Sequence, residues 1–471
     1  MDDSPPSPAD ALTWHFDAEL LRRYDRPGPR YTSYPTAPHF HDGFGVADLE
    51  RAARLSRQAH PLRRLSLYVH VPYCRNPCFY CGCNRIITRD ARRGLTYLER
   101  VLSEAELVAP LFAGREVVQL HLGGGTPNFL APPLLAELLE GLARNFHFSQ
   151  ALERDFSIEL DPRTVNPDDI GRLAEMGFNR ASLGVQDFDP SVQQAINREQ
   201  GVEQTLAIIE ACRRHGMRSV NVDLIYGLPR QGLEGFGRTL DTVMQVRPDR
   251  LAVYGYAHLP HMFKAQRQIC DADLPDAETK LALLGLAVHK LSHAGYQYIG
   301  MDHFALPGDD LAVAQRNGGL HRNFMGYTTH ADTDLVGLGV SAISHVGDSY
   351  SQNPRDLPAW EDALDAGRLP VWRGLLLSED DQVRADLIQQ LMCQGRVDTH
   401  AFGRAHGIDF AGYFAQELQD LQQLRHDGLV QCRDGVISAT VQGRPLLRLI
   451  AMCFDSYLRE PVQPARYSRA I

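Results

Sequence analysis

Between residues 65 and 256, six short strand-like stretches recur, and four of them alternate apolar and polar residues with a period of two. In the first, Leu65, Leu67, Val69 and Val71 share one face, and Ser66, Tyr68 and His70 share the other. Phe156, Ile158 and Leu160 oppose Ser157, Glu159 and Asp161 in the same way. Ala181, Leu183 and Val185 oppose Arg180, Ser182, Gly184 and Gln186, and Val220, Val222 and Leu224 oppose Ser219, Asn221 and Asp223. The pattern predicts strands over 65–71, 117–123, 156–161, 180–186, 219–225 and 251–256. Helical patterns such as 97–111 and 201–215 lie between them, so the stretch reads as repeated βα units around a parallel sheet. A closed eight-stranded barrel packs its interior with bulky apolar layers. Here one strand face is apolar, suited to covering helices, and the other stays polar. The expected fold is therefore α/β: a partial, open (β/α)6 TIM-like barrel with a polar lumen and its chemistry at the C-terminal strand ends.

The flanking segments differ. Residues 1–60 read as an N-terminal arm ending in a short helix, with Gly28-Pro-Arg-Tyr-Thr-Ser-Tyr-Pro35 pinned extended by its prolines. Its two tyrosines suggest packing against something. The barrel with its extension is expected over 61–375. Within it, 280–294 predicts a helix, 296–300 a strand, 318–329 a polar loop and 335–343 a glycine-dotted strand. From 376 to 471 a smaller, mainly helical domain is expected, with helices over 380–395, 399–406 and 411–426. Ser378 is the expected N-cap, and Asp434-Gly435 the turn of a hairpin. Helices with a hairpin resemble a winged-helix module, but no helix carries a basic stripe, so a structural role is preferred to DNA binding.

Composition narrows the function. The 471 residues, 44% hydrophobic and 23% charged, are ordinary for a globular protein, and a net charge of −10 argues against nucleic-acid or anionic-membrane binding. No run of about 18 apolar residues and no signal-like start appears, so a cytoplasmic protein is expected. The nine cysteines are odd in number and cluster in one loop, unlike a disulfide framework.

That loop, Cys74-Arg-Asn-Pro-Cys78-Phe-Tyr-Cys81-Gly-Cys83, follows the first predicted strand. Three thiolates at C-x3-C-x2-C spacing suit an iron–sulfur cluster with one iron left open. A structural zinc site normally closes four positions from two separated knuckles. No second C-x2-C pair exists, although a small zinc loop that includes Cys83 stays open as an alternative.

The loop resembles the signature of radical S-adenosylmethionine (SAM) enzymes. Further motifs resemble one family among them, the oxygen-independent coproporphyrinogen III oxidases or dehydrogenases. These are Pro29-Arg-Tyr-Thr-Ser-Tyr-Pro-Thr36, Tyr68-Val-His-Val-Pro-Tyr-Cys74, Cys81-Gly-Cys83-Asn, His121-Leu-Gly-Gly-Gly-Thr-Pro127 and Gly184-Val-Gln-Asp. Tyr256-Ala-His-Leu-Pro260, Gly300-Met-Asp-His-Phe304 and His321-Arg-Asn-Phe-Met-Gly-Tyr-Thr-Thr329 complete the set, which spans roughly residues 20 to 460.

The resemblance implies oxidative decarboxylation of the ring A and B propionates of coproporphyrinogen III to vinyl groups. The product is protoporphyrinogen IX, and 5′-deoxyadenosyl radicals from SAM on a [4Fe–4S] cluster do the work. By the same resemblance Cys74, Cys78 and Cys81 ligate the cluster and Cys83 does not. It assigns a first SAM to Tyr68, Gly124, Glu159 and Ile343. A second falls to Tyr80, Gly125, Thr126, Gln186, Arg198, Asp223 and Ala257. It also implies a monomer, an electron donor for the cluster and an unnamed electron acceptor. Tyr68, Glu159, Gln186 and Asp223 fall on the polar strand face by periodicity alone. Arg30 and Arg322 are candidate clamps for substrate carboxylates. Two alternatives remain: a heme chaperone of the same superfamily without oxidase activity, and a zinc-stabilised binding module. The chaperones carry a His-Asn-x-x-Tyr-Trp motif where this chain reads His321-Arg-Asn-Phe.

Overall fold

The computed structural model describes residues 18–24, 26–459 and 467. The acidic, proline-rich start over 1–6 lies outside the described residues. The chain divides into two compact units: Met1–Pro38, Asp276–Thr329 and Ser378–Ile471 form one, His39–Pro275 and His330–Leu377 the other.

The second unit carries the sheet. Strands β1 (Arg64–Val71), β2 (Glu116–Gly124), β3 (Asp155–Leu160), β4 (Arg180–Gln186), β5 (Ser219–Tyr226) and β6 (Arg250–Gly255) lie side by side in chain order, all parallel. Helices α1 (Arg92–Val108), α2 (Pro132–Asn145), α3 (Pro167–Glu175), α4 (Val202–Arg214) and α5 (Leu233–Val246) make the crossovers. This is the partial (β/α)6 barrel expected from the alternation. Leu65, Leu67, Val69 and Val71 are fully buried, whereas Tyr68, Glu159, Ser182, Asn221 and Asp223 on the opposite face are only half-buried.

The far edge of β1 is covered as well. Strand β7 (Thr333–Leu338) pairs with β1 in parallel, from Arg64 opposite Thr333 to Val69 opposite Leu338. Strands β8 (Ile343–Val346), β9 (Ser349–Gln352) and β10 (Arg373–Leu376) then continue antiparallel. The single strand expected over 335–343 is thus two strands joined by a reversal. Gly339 and Ser341 take positive φ (95° and 64°) there, and a side chain on Gly337 would collide with the Ile343 carbonyl. Among the described residues no helix is long and apolar enough to cross a membrane.

In the first unit, helices Glu379–Gln394, Thr399–His406 and Ala415–His426 pack with Leu447–Met452 around Leu387, Leu391, Phe414, Leu421 and Phe454. Ser378 caps the first of these through Asp381, as expected. The helix expected over 411–426 is interrupted, with Phe410–Tyr413 set apart from Ala415–His426. Strands Val430–Arg433 and Val436–Ala439 form the hairpin, and Asp434 and Gly435 turn with φ of 50° and 74°. The arm tyrosines do pack: Tyr31 donates to Asp455 at 2.8 Å, and Tyr34 hydrogen-bonds Ser456 at 2.9 Å. The polar loop expected over 318–329 is instead a small hairpin, His321–Asn323 against Gly326–Thr328.

Candidate active site

The cysteine loop leaves β1 and is held shut by a two-residue parallel pairing, Tyr73–Cys74 with Ile86–Ile87. Arg85 ties its middle, donating to the carbonyls of Cys81 (3.1 Å) and Cys78 (3.0 Å), and Asn197 donates to the Pro77 carbonyl at 2.7 Å. The loop lies over a cavity of about 330 Å³ at the C-terminal strand ends, within the usual range for small-molecule sites.

Eleven of the fourteen residues singled out from sequence line this cavity: Cys74, Cys78, Cys81, Tyr80, Gly124, Gly125, Thr126, Glu159, Gln186, Arg198 and Asp223. The other three lie outside the lining. Tyr68 sits behind it, stacked on His121 at 5.9 Å, and hydrogen-bonds the His70 Nδ1 at 3.0 Å. The Ala257 carbonyl accepts from Gln266 at 3.2 Å, and the same amide group holds the Tyr80 carbonyl at 2.9 Å. Ile343 opens β8.

The donor set fits an iron–sulfur cluster. Cys74, Cys78, Cys81 and Cys83 are all free thiols. Thr126 donates to the Cys74 sulfur at 3.3 Å and Arg198 to the Cys78 sulfur at 3.5 Å, so both sulfurs already meet hydrogen-bond donors from the cavity wall. The Cys83 thiol bonds Cys81 and brings the Cys81 thiol down to about 6; burial opposes this, and Arg85, the Cys83 amide and Arg198 assist. Burial pushes Cys74 up to about 11. Cys83 itself is exposed and acts here as a hydrogen-bond partner of Cys81. Among the described residues no group of three or more His, Cys, Asp or Glu closes to the spacing of a single metal ion.

Two carboxylates shape the floor. Glu159 on β3 accepts from the Gly124 amide (3.1 Å) and pairs with His121 Nε2 (3.3 Å), with 43% of its side chain still open. Burial would raise its carboxyl, but His121 and Gly124 outweigh that and hold it below the ordinary value. Asp223 on β5 accepts from two neutral donors, Asn221 at 2.8 Å and Ser182 at 3.2 Å. Burial, with the Glu159 charge nearby, pushes it up to about 7. At the end of β4 a bulge skips Val185, and Gln186 takes φ 67°, which re-aims it at the cavity rim.

The glycines after β2 are required by close packing. A side chain on Gly124 would strike the His70 ring, and one on Gly125 the Pro72 carbonyl. Sequence reasoning missed one group. Asp161, just past β3, pairs bidentately with Arg163 and also with Arg198, and Arg163 reaches the Cys78 sulfur at 3.8 Å. Its signal was an Asp-Pro-Arg run at a C-terminal strand end, where charged residues read as chemistry. In the first unit Arg30 is ion-paired with Asp302. Arg322 is buried with its guanidinium over the Tyr327 ring at 4.7 Å, and among the described residues its Nε and Nη1 have no hydrogen-bond partner.

Comparison with known proteins places this geometry. Residues 68–243 match the Radical SAM superfamily and residues 377–446 the HemN C-terminal domain. The chain is 50% identical to the oxygen-independent coproporphyrinogen III oxidase of Pseudomonas aeruginosa over 98% of its own length and all of the relative's. It is 48% identical to the enzyme of that name from Escherichia coli, over 97% of this chain and 98% of the other. A solved structure described as coproporphyrinogen III oxidase (HemN) from Escherichia coli, a radical SAM enzyme, superposes with a TM-score of 0.90 at 46% identity. That match covers 95% of this chain and 100% of the other.

Proposed function

The chain belongs to the oxygen-independent coproporphyrinogen III oxidases, which are radical SAM enzymes, and on that premise we propose the details of its reaction and site. The propionates on rings A and B of coproporphyrinogen III become vinyl groups, giving protoporphyrinogen IX for heme synthesis. At each one, R–CH2–CH2–COO⁻ becomes R–CH=CH2 and CO2, while one hydrogen atom and one electron leave the substrate. The [4Fe–4S] cluster and SAM, when bound, supply the 5′-deoxyadenosyl radical that takes the hydrogen atom. A donor feeds the cluster, a separate acceptor takes the remaining electron, and the setting is a reducing cytoplasm with the chain as a monomer.

Cys74, Cys78 and Cys81 would hold three irons. Apart from Tyr80, Gly125 and Thr126, the residues assigned to the two SAM molecules fall on two halves of the sheet, which supports reading them as two sites. Tyr68, Gly124, Glu159 and Ile343 lie on β1, β2, β3 and β8. Gln186, Asp223 and Ala257 lie on β4, on β5 and just after β6, with Arg198 near them. Tyr80, Gly125 and Thr126 complete the second set from the cysteine loop and the end of β2. Glu159 and Asp223 are acceptors suited to ribose hydroxyls. Arg322, with unsatisfied guanidinium nitrogens, is the stronger candidate for a propionate, because Arg30 already has Asp302.

The observation carrying this reading is the convergence of four thiols, Cys74, Cys78, Cys81 and Cys83, and three carboxylates, Glu159, Asp161 and Asp223, on one cavity at the strand ends. Anaerobic incubation of the reconstituted protein with dithionite, SAM and coproporphyrinogen III tests it. Doubly decarboxylated product is expected; tight heme binding without turnover would overturn it in favour of a chaperone.

A further inference from the structure

Arg163 touches a thiol assigned to the cluster, yet no SAM or substrate role falls to it. Just past β3, Asp161-Pro-Arg163-Thr164 makes a single helical turn capped by Asp161, whose carboxylate accepts from the Arg163 amide at 3.1 Å. Asn128, after β2, pins that turn. Its side chain accepts from the Asp161 amide at 3.0 Å and donates to Thr164 Oγ1 at 2.8 Å. The Arg163 side chain then folds back onto Asp161 in a two-pronged ion pair, 3.0 Å from Nε and 2.7 Å from Nη2. The same Nη2 also donates to the Cys78 sulfur at 3.8 Å.

Cys78 meets a second guanidinium. Arg198 donates to its sulfur at 3.5 Å and shares Asp161 at 3.4 Å. Side-chain exposure is 16% for Arg163, 10% for Asp161 and 7% for Arg198, so solvent screens these charges weakly. Burial opposes ionisation of Asp161, but Arg198 and Arg163 outweigh it and hold the carboxyl below its ordinary value. Two positive charges and one negative therefore stand against the Cys78 sulfur, a positive excess. Arg85 gives its hydrogen bonds to the Cys78 and Cys81 carbonyls instead. The cavity's other acids, Glu159 and Asp223, take theirs from β2, β4 and β5.

A reduced iron–sulfur cluster carries one more negative charge than the oxidised one. Hydrogen bonds to its sulfurs and nearby positive charge therefore raise its reduction potential. We infer that Arg163 tunes the cluster through the Cys78 sulfur, holding its reduction potential up, and that Asp161 both aims Arg163 and moderates its charge. This inference rests on the assignment of the cluster to Cys74, Cys78 and Cys81. Arg198 acts on the same sulfur but belongs to the second SAM set, so the test leaves it in place.

The test is an anaerobic redox titration of the reconstituted holoprotein without SAM. Titanium(III) citrate is the reductant, and the electron paramagnetic resonance signal of the reduced cluster is followed. Arg163→Leu, Arg163→Lys and Asp161→Asn are compared with the wild type. At a fixed potential, Arg163→Leu should lower the ratio of reduced to oxidised cluster about tenfold, a midpoint shift of about −59 mV for one electron. Arg163→Lys keeps the charge and should stay closer to the wild type. Asp161→Asn removes the negative member and should shift the midpoint the opposite way, a sign that general loosening of the loop would not produce. Wild-type midpoints in Arg163→Leu and Asp161→Asn would overturn the proposal. So would equal shifts in Arg163→Leu and Arg163→Lys. If Arg163→Leu loses its iron, Asp161→Asn decides: a positive shift supports the proposal, and a negative or absent one overturns it. Absence of a reducible [4Fe–4S] signal in the wild type would instead overturn the cluster assignment beneath it.

Discussion

Two glutamates of the same unit, one buried and one half-open, show how a scaffold differs from a site. Glu104 on α1 is 3% exposed and accepts from three donors: the Gly339 amide at 2.8 Å, Trp360 Nε1 at 3.0 Å and Asn353 Nδ2 at 2.6 Å. Glu159 has two partners and an open flank facing the cavity. Burial drives the Glu104 carboxyl up to about 7, because three neutral donors do not offset it, whereas His121 keeps Glu159 below the ordinary range. A buried carboxylate held by three donors ties structure together; one with two partners and an open flank on a cavity wall is equipped to take a ligand.

If that distinction holds, the two sides should fail in different ways. The largest effect belongs to the site. Cys74→Ser, Cys78→Ser or Cys81→Ser should abolish iron binding and turnover while the far-ultraviolet spectrum stays native, as iron and sulfide analysis would show. Next comes the scaffold: Glu104→Ala strands three buried donors. Each stranded donor costs about 1–3 kcal/mol, so thermal unfolding should shift down sharply although every cavity residue is retained.

The pH dependence of stability sharpens the contrast. Glu104 has a raised folded pKa, so the folded state keeps a proton that the unfolded chain releases. Its contribution is full below about pH 4.5 and is lost as pH rises through about 7, a change of about 3 kcal/mol at 1.4 kcal/mol per unit. Glu104→Gln should flatten the fall in melting temperature between pH 5 and 8, and an unaltered slope would assign that titration elsewhere. A smaller effect is expected for Arg322→Leu, which should raise the substrate KM about tenfold and leave SAM cleavage alone. The smallest belongs to Cys83→Ser, which should keep its iron; loss of iron there would make Cys83 a ligand.

Much of the site was legible because strand alternation has a strict period. Once Leu65, Leu67, Val69 and Val71 are assigned to the helix-covered face, Tyr68 must face the lumen, and the same logic places Glu159 and Asp223. Strand ends fell within a residue or two because each apolar run ends where the polar loops begin. Pairings distant in sequence left no such mark. That β7 lies beside β1, or that Gly339 turns so that its amide meets Glu104, depends on contacts more than 200 residues apart. The hairpin at His321–Thr328 was hidden because three-residue strands are too short to show alternation. Arg163 was missed for a related reason: Asp161 is only two residues away, but the Cys78 sulfur it also reaches belongs to a different loop brought close by the fold.

The central claim is that the polar face beneath the cysteine loop holds two SAM molecules, one on each half of the sheet. Counting labelled SAM bound per reconstituted chain tests this directly, in the wild type and in Glu159→Ala and Asp223→Ala. Two molecules are predicted for the wild type and one for each variant, with melting temperatures near that of the wild type. A single molecule on the wild type, or two on both variants, would contradict it.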